Sequence, residues 1–348
     1  MNLRELEQLA LDTDNELKDK NEWIKRYAGY ANKILKNKKS ILAVRKMFRE
    51  VLPLYIYSSL GRAADVDVKE DEDDDIIGKN VTFDVRYKGQ RVAIIKYKND
   101  DLYICPEENT ETWYDKKFDK EFLWSNKKDK SDKRGEEFRR FFQTYPPRKT
   151  EAGKKEHRCE TALLTELSKT IGRNKQLKNI QPIRLVKSRF QLKTPFGASK
   201  GVPDYKKQYG GGIDIMCRTK HVNKPRLNVF ELKDEYENPL EVMRQAVIYS
   251  VFVYRLLKTK EAENSKWWEI FGFKTPRELD NFNSVNAVVA MPNTGNNDES
   301  FAGSEIKLSD GGTIKLHYLW FKLERNEKTD KIKEDQIIDI KTSLFKKD

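Results

Sequence analysis

At 348 residues the chain exceeds one average domain, and 37% hydrophobic with 11% aromatic residues is enough for a packed interior beneath a surface made dense in charge by 36% ionisable residues. Lysine and arginine outnumber aspartate and glutamate by 68 to 56, a net charge of +12 that suits a polyanionic partner, although charge spread evenly for solubility accounts for it equally. Three isolated cysteines (Cys105, Cys159, Cys217) exclude a disulfide framework, the charged start Met1 to Glu7 lacks the apolar core of a signal peptide, and no apolar run approaches the ~18 residues of a membrane span, so a cytoplasmic, non-membrane protein is expected.

From Leu3 to about Leu60, residues such as Leu6, Trp23, Tyr27, Ile34, Val44 and Phe48 recur mostly three or four apart, which predicts two or three amphipathic helices. Gly61 and the acidic run 70–75 interrupt the pattern, and a block of like charges reads as a solvated loop. Alternating apolar and polar residues at 81–87, the turn Lys88-Gly89 and further strand-like runs at 92–97 and 102–105 predict a β-meander. Residues 107–149 are charged and aromatic. The mixed run 127–134, flanked by Trp124 and Phe138, could grip a single strand, but reads more simply as an exposed loop with core anchors on either side. Pro146-Pro147 disfavours continuing helix and marks the expected division into an N-terminal helical and meander region, 1–150, and a second domain, 151–348.

Beyond the prolines the order of elements changes. A helix is expected at 155–171, closed by Gly172, then strands at 183–192, 213–218 and 227–233. Pro239 opens a long apolar helix over 240–257, and strands come after it at 285–291 and 314–321. Helix, three strands, helix, strand is the pattern of a mixed α/β layer architecture.

Two of these strands bring ionisable groups together. Asp214 lies between Ile213 and Ile215 after the run Gly210-Gly211-Gly212, and Glu231 and Lys233 lie in Val229-Phe230-Glu231-Leu232-Lys233. Residues two apart on a strand share a face, so Glu231 and Lys233 point one way and Phe230 and Leu232 the other. Carboxylates are hard oxygen ligands for Mg²⁺, and an adjacent lysine can orient a water or stabilise a phosphate. Spacing alone proves little, because Glu16-Leu17-Lys18-Asp19 and Glu305-Ile306-Lys307 have it too. Only the copy at Glu231 ends an apolar strand that comes after another strand-borne carboxylate. His157, His221 and His317 lack metal-ligand spacing, Cys217 falls on the face opposite Asp214, and the glycines read as a place of close backbone approach.

These residues resemble the PD-(D/E)xK nuclease superfamily, over roughly residues 154–291. The resemblance implies a restriction-endonuclease-like core, with Asp214 and Glu231 binding metal, the Leu232 carbonyl as a further ligand and Lys233 assisting catalysis. Ile213 stands where that family usually has proline. Many members carry an acidic residue on the first core helix, and Glu160 takes that place here as a candidate ligand, or is an exposed helix carboxylate. Several branches also carry a Gln and, four residues on, a Tyr after the lysine strand, matched by Gln245 and Tyr249. The resemblance thus implies a Mg²⁺-dependent endonuclease, with Mn²⁺ substituting, that acts on DNA in preference to RNA and serves in defence against foreign DNA. The N-terminal region would then bind substrate, a second copy or a partner protein. An RNA nuclease, a subunit active only in a complex, and a non-catalytic nucleic-acid-binding protein that keeps the fold remain as alternatives.

Overall fold

The structure, a computed structural model, describes residues 2–19, 22–36, 38–48, 54–59, 82–87, 90–98, 101–106, 118, 120–124, 133–144, 155–169, 175–183, 189–192, 194–196, 211–219, 226–259, 264, 266–279, 282–324 and 335–345. Gly61, the acidic run 70–75, Lys88-Gly89, residues 127–132, Pro146-Pro147, Gly172 and Gly210 lie outside them.

The helical periodicity at the start of the chain becomes α1 (Leu3–Asp19), α2 (Glu22–Lys36) and α3 (Lys38–Phe48). Leu6, Ala10 and Leu17 form the buried stripe of α1, and Trp23, Tyr27, Ala31 and Ile34 that of α2, each at the spacing that keeps one helical face turned inward. The helical expectation to about Leu60 fails at its end, where Leu54–Ser59 is strand β1. Leu54 and Ile56 are buried two apart, a period that the helical pattern before them masks. The meander is β2 (Thr82–Tyr87), β3 (Gln90–Lys98) and β4 (Asp101–Pro106), extended by β5 (Phe122–Leu123). Helix α4 (Lys133–Thr144) begins inside the charged run expected to be loop. Its residues Phe138 and Phe142 are buried, as is Trp124, which stacks on Phe48 at 4.8 Å. The aromatics flanking the run are therefore core anchors.

The second half supplies α5 (Lys155–Ser168), β6 (Ile180–Pro182), β7 (Arg189–Gln191), β8 (Ile215–Thr219), β9 (Leu227–Leu232), α6 (Pro239–Lys258), α7 (Trp267–Ile270), β10 (Ser284–Pro292), β11 (Glu305–Lys307), β12 (Thr313–Glu324) and β13 (Gln336–Thr342). Among the described residues the strands form two sheets, one in the order β5-β4-β3-β2-β1-β7 and one in the order β11-β12-β10-β9-β8-β6 with β13 also on β12. The second sheet is mixed, with β9, β10 and β12 parallel and β8 antiparallel to β9.

Of the strand expected at 183–192, the described residues form β7 beside β1, while β6, just before it in the chain, lies beside β8 in the other sheet. Pro182 has no N–H for a ladder and ends β6, which is tolerated because β6 is an edge. Strand β7 also carries the chain across the division expected at residue 150, completing the sheet of the N-terminal region.

Alternation along β9 separates two cores. Leu227 and Val229 join a large core with α6 and the N-terminal helices, while Phe230 and Leu232 join a smaller one with Cys159, Leu163 and Leu167 of α5. Helix α6 is apolar nearly all round, as befits an element covered by the sheet on one side and α1 on the other. Pro239 starts it, and the Asn238 side chain accepts the Leu240 N–H at 3.0 Å. No helix among the described residues is long and apolar enough to cross a membrane.

The contact of α1 with α6 is also ionic. Arg255 donates to both oxygens of the fully buried Asp14, the second at 2.7 Å, and to Asp310 at 2.8 Å, while Lys18 and Ser309 also reach Asp14. Burial pushes the Asp14 carboxyl up, but hydrogen bonds from Arg255 and Lys18 outweigh it and hold it below the ordinary value. Asp14→Ala should therefore cost about 3 kcal/mol in urea unfolding, because it strands part of a buried guanidinium charge. Adding Arg255→Met to that variant should recover stability. The Asp14 contribution is complete only above pH ~4 and is lost as acid passes through its depressed folded-state value, so stability of the wild type but not of Asp14→Ala should show that limb.

Candidate functional site

The last rung between β8 and β9 pairs Ile215 with Phe230, and one step further sets Asp214 opposite Glu231. No backbone rung forms there. Asp214 lies at a bend just before β8, and its Oδ2 accepts the Leu232 N–H at 2.8 Å in place of a β8 carbonyl. The N–H and C=O of a strand residue point to the same edge, so the Leu232 carbonyl also faces the gap that β8 leaves. On its other edge the sheet continues, since Lys233 N–H bonds to the Ala290 carbonyl at 3.0 Å.

Glu231 and Lys233 share a face, as their spacing requires, and Lys233 Nζ donates to Glu231 Oε1 at 3.1 Å. The same ammonium reaches Glu156 Oε1 at 3.4 Å. Glu156 stands in the first turn of α5. Carboxylate oxygens of Glu156, Asp214 and Glu231 all lie within 4.8 Å of one another, and no other group of three acidic, histidine or cysteine side chains converges in this way among the described residues.

Sequence reasoning selects Glu160 on this helix and passes over Glu156. The two are four apart and share a helical face, so periodicity identifies the face without telling which turn meets the strands. Glu160 is buried one turn further along, and its charge acts on Asp214 from there. The signal that could have found Glu156 is its place at the start of the helix, level with the sheet end where Asp214 and Lys233 emerge.

Gln245 and Tyr249 of α6 are bonded to each other, Nε2 donating to the tyrosine oxygen at 2.9 Å. Burial and the Glu231 and Asp214 charges push the Tyr249 phenol up, which keeps it protonated and puts it within electrostatic reach of the carboxylates. Gly211 makes room for it. A Cβ there would stand 2.5 Å from the Tyr249 oxygen and 3.0 Å from the Phe196 carbonyl, so the glycine permits a close approach, as its sequence context implies. Residues 211–213 run antiparallel to 192–196 at this point and deliver the chain to Asp214.

Burial, then the Glu231 charge, raise the Asp214 carboxyl well above its ordinary value despite the Leu232 N–H. Burial raises Glu231 to about 7 against the opposing pull of Lys233. For Lys233 burial works against the charge, but Glu231 and Glu156 prevail and raise it. Glu231 is 2% exposed, and its Oε2 has no hydrogen-bond partner among the described residues. A buried carboxylate oxygen without a donor is costly. Three carboxylates, one of them Glu231 with its orphaned oxygen, bonded among the described residues to the Lys233 ammonium alone, fit a divalent cation such as Mg²⁺.

The remaining sequence candidates stay apart. Cys217 is buried in the core beside α5, and His317 is buried near Ser343. His221 and the His157 side chain fall outside the described residues. Of the two other Glu-x-Lys copies, one lies on α1, where Lys18 serves Asp14, and the other on edge strand β11, where Glu305 pairs with Lys315. Compared with protein-family models, curated proteins and solved structures, the chain gives no match.

A cation must displace protons from this group. Mn²⁺ binding should release protons, and its apparent affinity should climb with pH through the range around 7, as calorimetry in buffers of different ionisation enthalpy would record. The raised values also mean that, without metal, stability falls as pH rises from the unfolded carboxylate range through the folded-state values. Asp214→Asn keeps an acceptor for Leu232 and removes a charge. It should raise the metal-free thermal midpoint at pH 8 by roughly 1–2 °C per kcal/mol relieved, and abolish the further rise on adding Mn²⁺.

Proposed function

We propose that the protein is a Mg²⁺-dependent nuclease that hydrolyses phosphodiester bonds of DNA, with Glu156, Asp214 and Glu231 as metal ligands and Lys233 as the catalytic cation. The observation that carries this reading is the orphaned Oε2 of Glu231 inside a group of three carboxylates and a lysine. A structural salt bridge has no need of three acidic groups about one ammonium, and crowding them costs stability. The resemblance to the PD-(D/E)xK superfamily supports the same assignment. So does the succession α5, β6, β8, β9, α6, β10, which matches the helix, three strands, helix, strand order of a restriction-endonuclease-like core once β7 is set aside as part of the other sheet.

The Leu232 carbonyl completes the ligand set on the edge that β8 leaves free. Bound Mg²⁺ supplies a water of lowered pKa and neutralises charge developing on the phosphate. The chain's own groups do the rest. Asp214, tied to the Leu232 N–H, keeps one carboxylate fixed in orientation. Lys233, held between Glu231 and Glu156, keeps its proton and presents a fixed positive charge to the attacking water and the phosphate. Glu160 adds negative charge behind Asp214, and the Gln245–Tyr249 pair offers a protonated hydroxyl near the same carboxylates. DNA as substrate, and a role in defence against foreign DNA, rest on the superfamily resemblance, and the +12 net charge favours a polyanion of either kind.

Purified protein assayed on linear, circular and single-stranded DNA and on RNA should cleave DNA with Mg²⁺ or Mn²⁺ and not with EDTA. Lys233→Ala should lower the rate by about 10²–10³-fold, as loss of one preorganised electrostatic group does. Asp214→Ala and Glu231→Ala should lower it at least as far. Cleavage that these variants leave intact would refute the assignment, and cleavage of RNA alone would move the substrate but keep the site.

A further inference from the structure

Just past the end of β9, in the connection to α6, the chain leaves a large aromatic ring in solvent. Tyr236 is 41% exposed, three residues beyond Lys233, and is one of four large hydrophobic side chains so exposed among the described residues. Its inner side is not loose. The ring stacks on Trp320 of β12, with centroids 6.1 Å apart and planes at 21°. Trp320 is fully buried, stacks in turn on Tyr318 at 5.7 Å, and donates its indole N–H to Glu299 at 2.9 Å. The exposed face of Tyr236 is therefore a preorganised aromatic surface, with little ordering left to do on binding.

Its place relative to the carboxylates is set by strand register. Leu232 pairs with Ala290, and Met291 with Trp320, so Lys233, Met291 and Trp320 stand level across β9, β10 and β12. Two strand spacings separate the outer pair, about 10 Å. Charge decides what this ring can accept from a nucleic acid. Asp234, Glu235 and Glu237 flank it and repel phosphate, whereas the face of a nucleobase is uncharged and stacks on tyrosine irrespective of sequence.

We propose that Tyr236 is a base-stacking platform, which takes an unpaired nucleobase next to the phosphate held at the Glu156, Asp214 and Glu231 group, and so directs the site to single-stranded or locally unpaired nucleic acid. This rests on the nuclease reading. Inside a duplex the bases stack on one another, and none is offered to the ring unless it leaves the helix.

Binding measured apart from cleavage tests it. Fluorescein-labelled DNA of one sequence, single-stranded or duplex, is titrated with wild type, Tyr236→Ala and Tyr236→Phe, with Ca²⁺ in place of Mg²⁺. Tyr236→Ala should weaken single-strand binding by ~10-fold and leave duplex binding unchanged, whereas Tyr236→Phe, which keeps the ring, should bind as wild type does. Equal losses on both DNAs, no loss, or a wild type that binds neither would overturn the proposal. So would a Tyr236→Ala defect confined to a lysine-rich peptide, which would make this acidic and aromatic surface a dock for a basic protein. Cleavage with Mg²⁺ reads the other claim separately. Cleavage without a Tyr236 effect on binding overturns the platform alone, and a single-strand binding defect in a protein that cuts nothing supports the platform while removing the nuclease.

Discussion

Where β8 begins beside the end of β9, a side chain takes the place of a backbone group. The Asp214 carboxylate accepts the Leu232 N–H that the next β8 carbonyl would have taken. That substitution fixes the position of one carboxylate directly across from Glu231 and opens the edge of β9 just where Lys233 emerges. Buried so, both acids are pushed toward protonation, and neither is relieved fully by the Lys233 ammonium. The fold thus holds together groups that repel each other, an arrangement expected of sites in which local stability gives way to chemistry.

The rest of the architecture keeps that crowding in place. Helix α6 backs the sheet with an almost wholly apolar surface and carries Tyr249 to the narrow space that Gly211 leaves. At its far end Arg255 binds Asp14 of α1, so the N-terminal helices brace the same helix that braces the site. On the opposite face α5 packs through Cys159, Leu163 and Leu167, and its first turn brings Glu156 round to the strand ends. Arg158 holds that turn by a two-pronged bond to Asp335 at 2.7 and 2.8 Å. A helix clamped by a bidentate pair has little freedom to withdraw its carboxylate.

Local periodicity carries most of what is legible in the sequence. The helical stripes of α1 to α3, the meander and the shared face of Glu231 and Lys233 all come from spacings of two, three or four, and Pro239 marks the head of α6 by its place in a first helical turn. Long-range pairing decides the rest. Leu54 to Ser59 extends because β2 and β7 flank it, and nothing in its neighbours announces that. The stretch 183–192 reads as one strand, yet β7 within it joins β1, while β6 just before it joins β8 in the other sheet. Glu156 and Glu160 are equivalent on a helical wheel, and only the height of α5 against the sheet distinguishes them. Three copies of Glu-x-Lys are separable by their apolar context, because a buried strand end demands such flanks, whereas a helix with a single buried stripe or an edge strand does not.

Anomalous scattering from crystals grown with Mn²⁺ tests the metal assignment most directly. The expected result is a peak within about 2.0–2.3 Å of carboxylate oxygens from Glu156, Asp214 and Glu231 together, one of them the Oε2 of Glu231 that lacks a donor. No peak there at Mn²⁺ concentrations that saturate binding, with Lys233 still bridging Glu156 and Glu231, would contradict it and make the group a buried salt-bridge cluster.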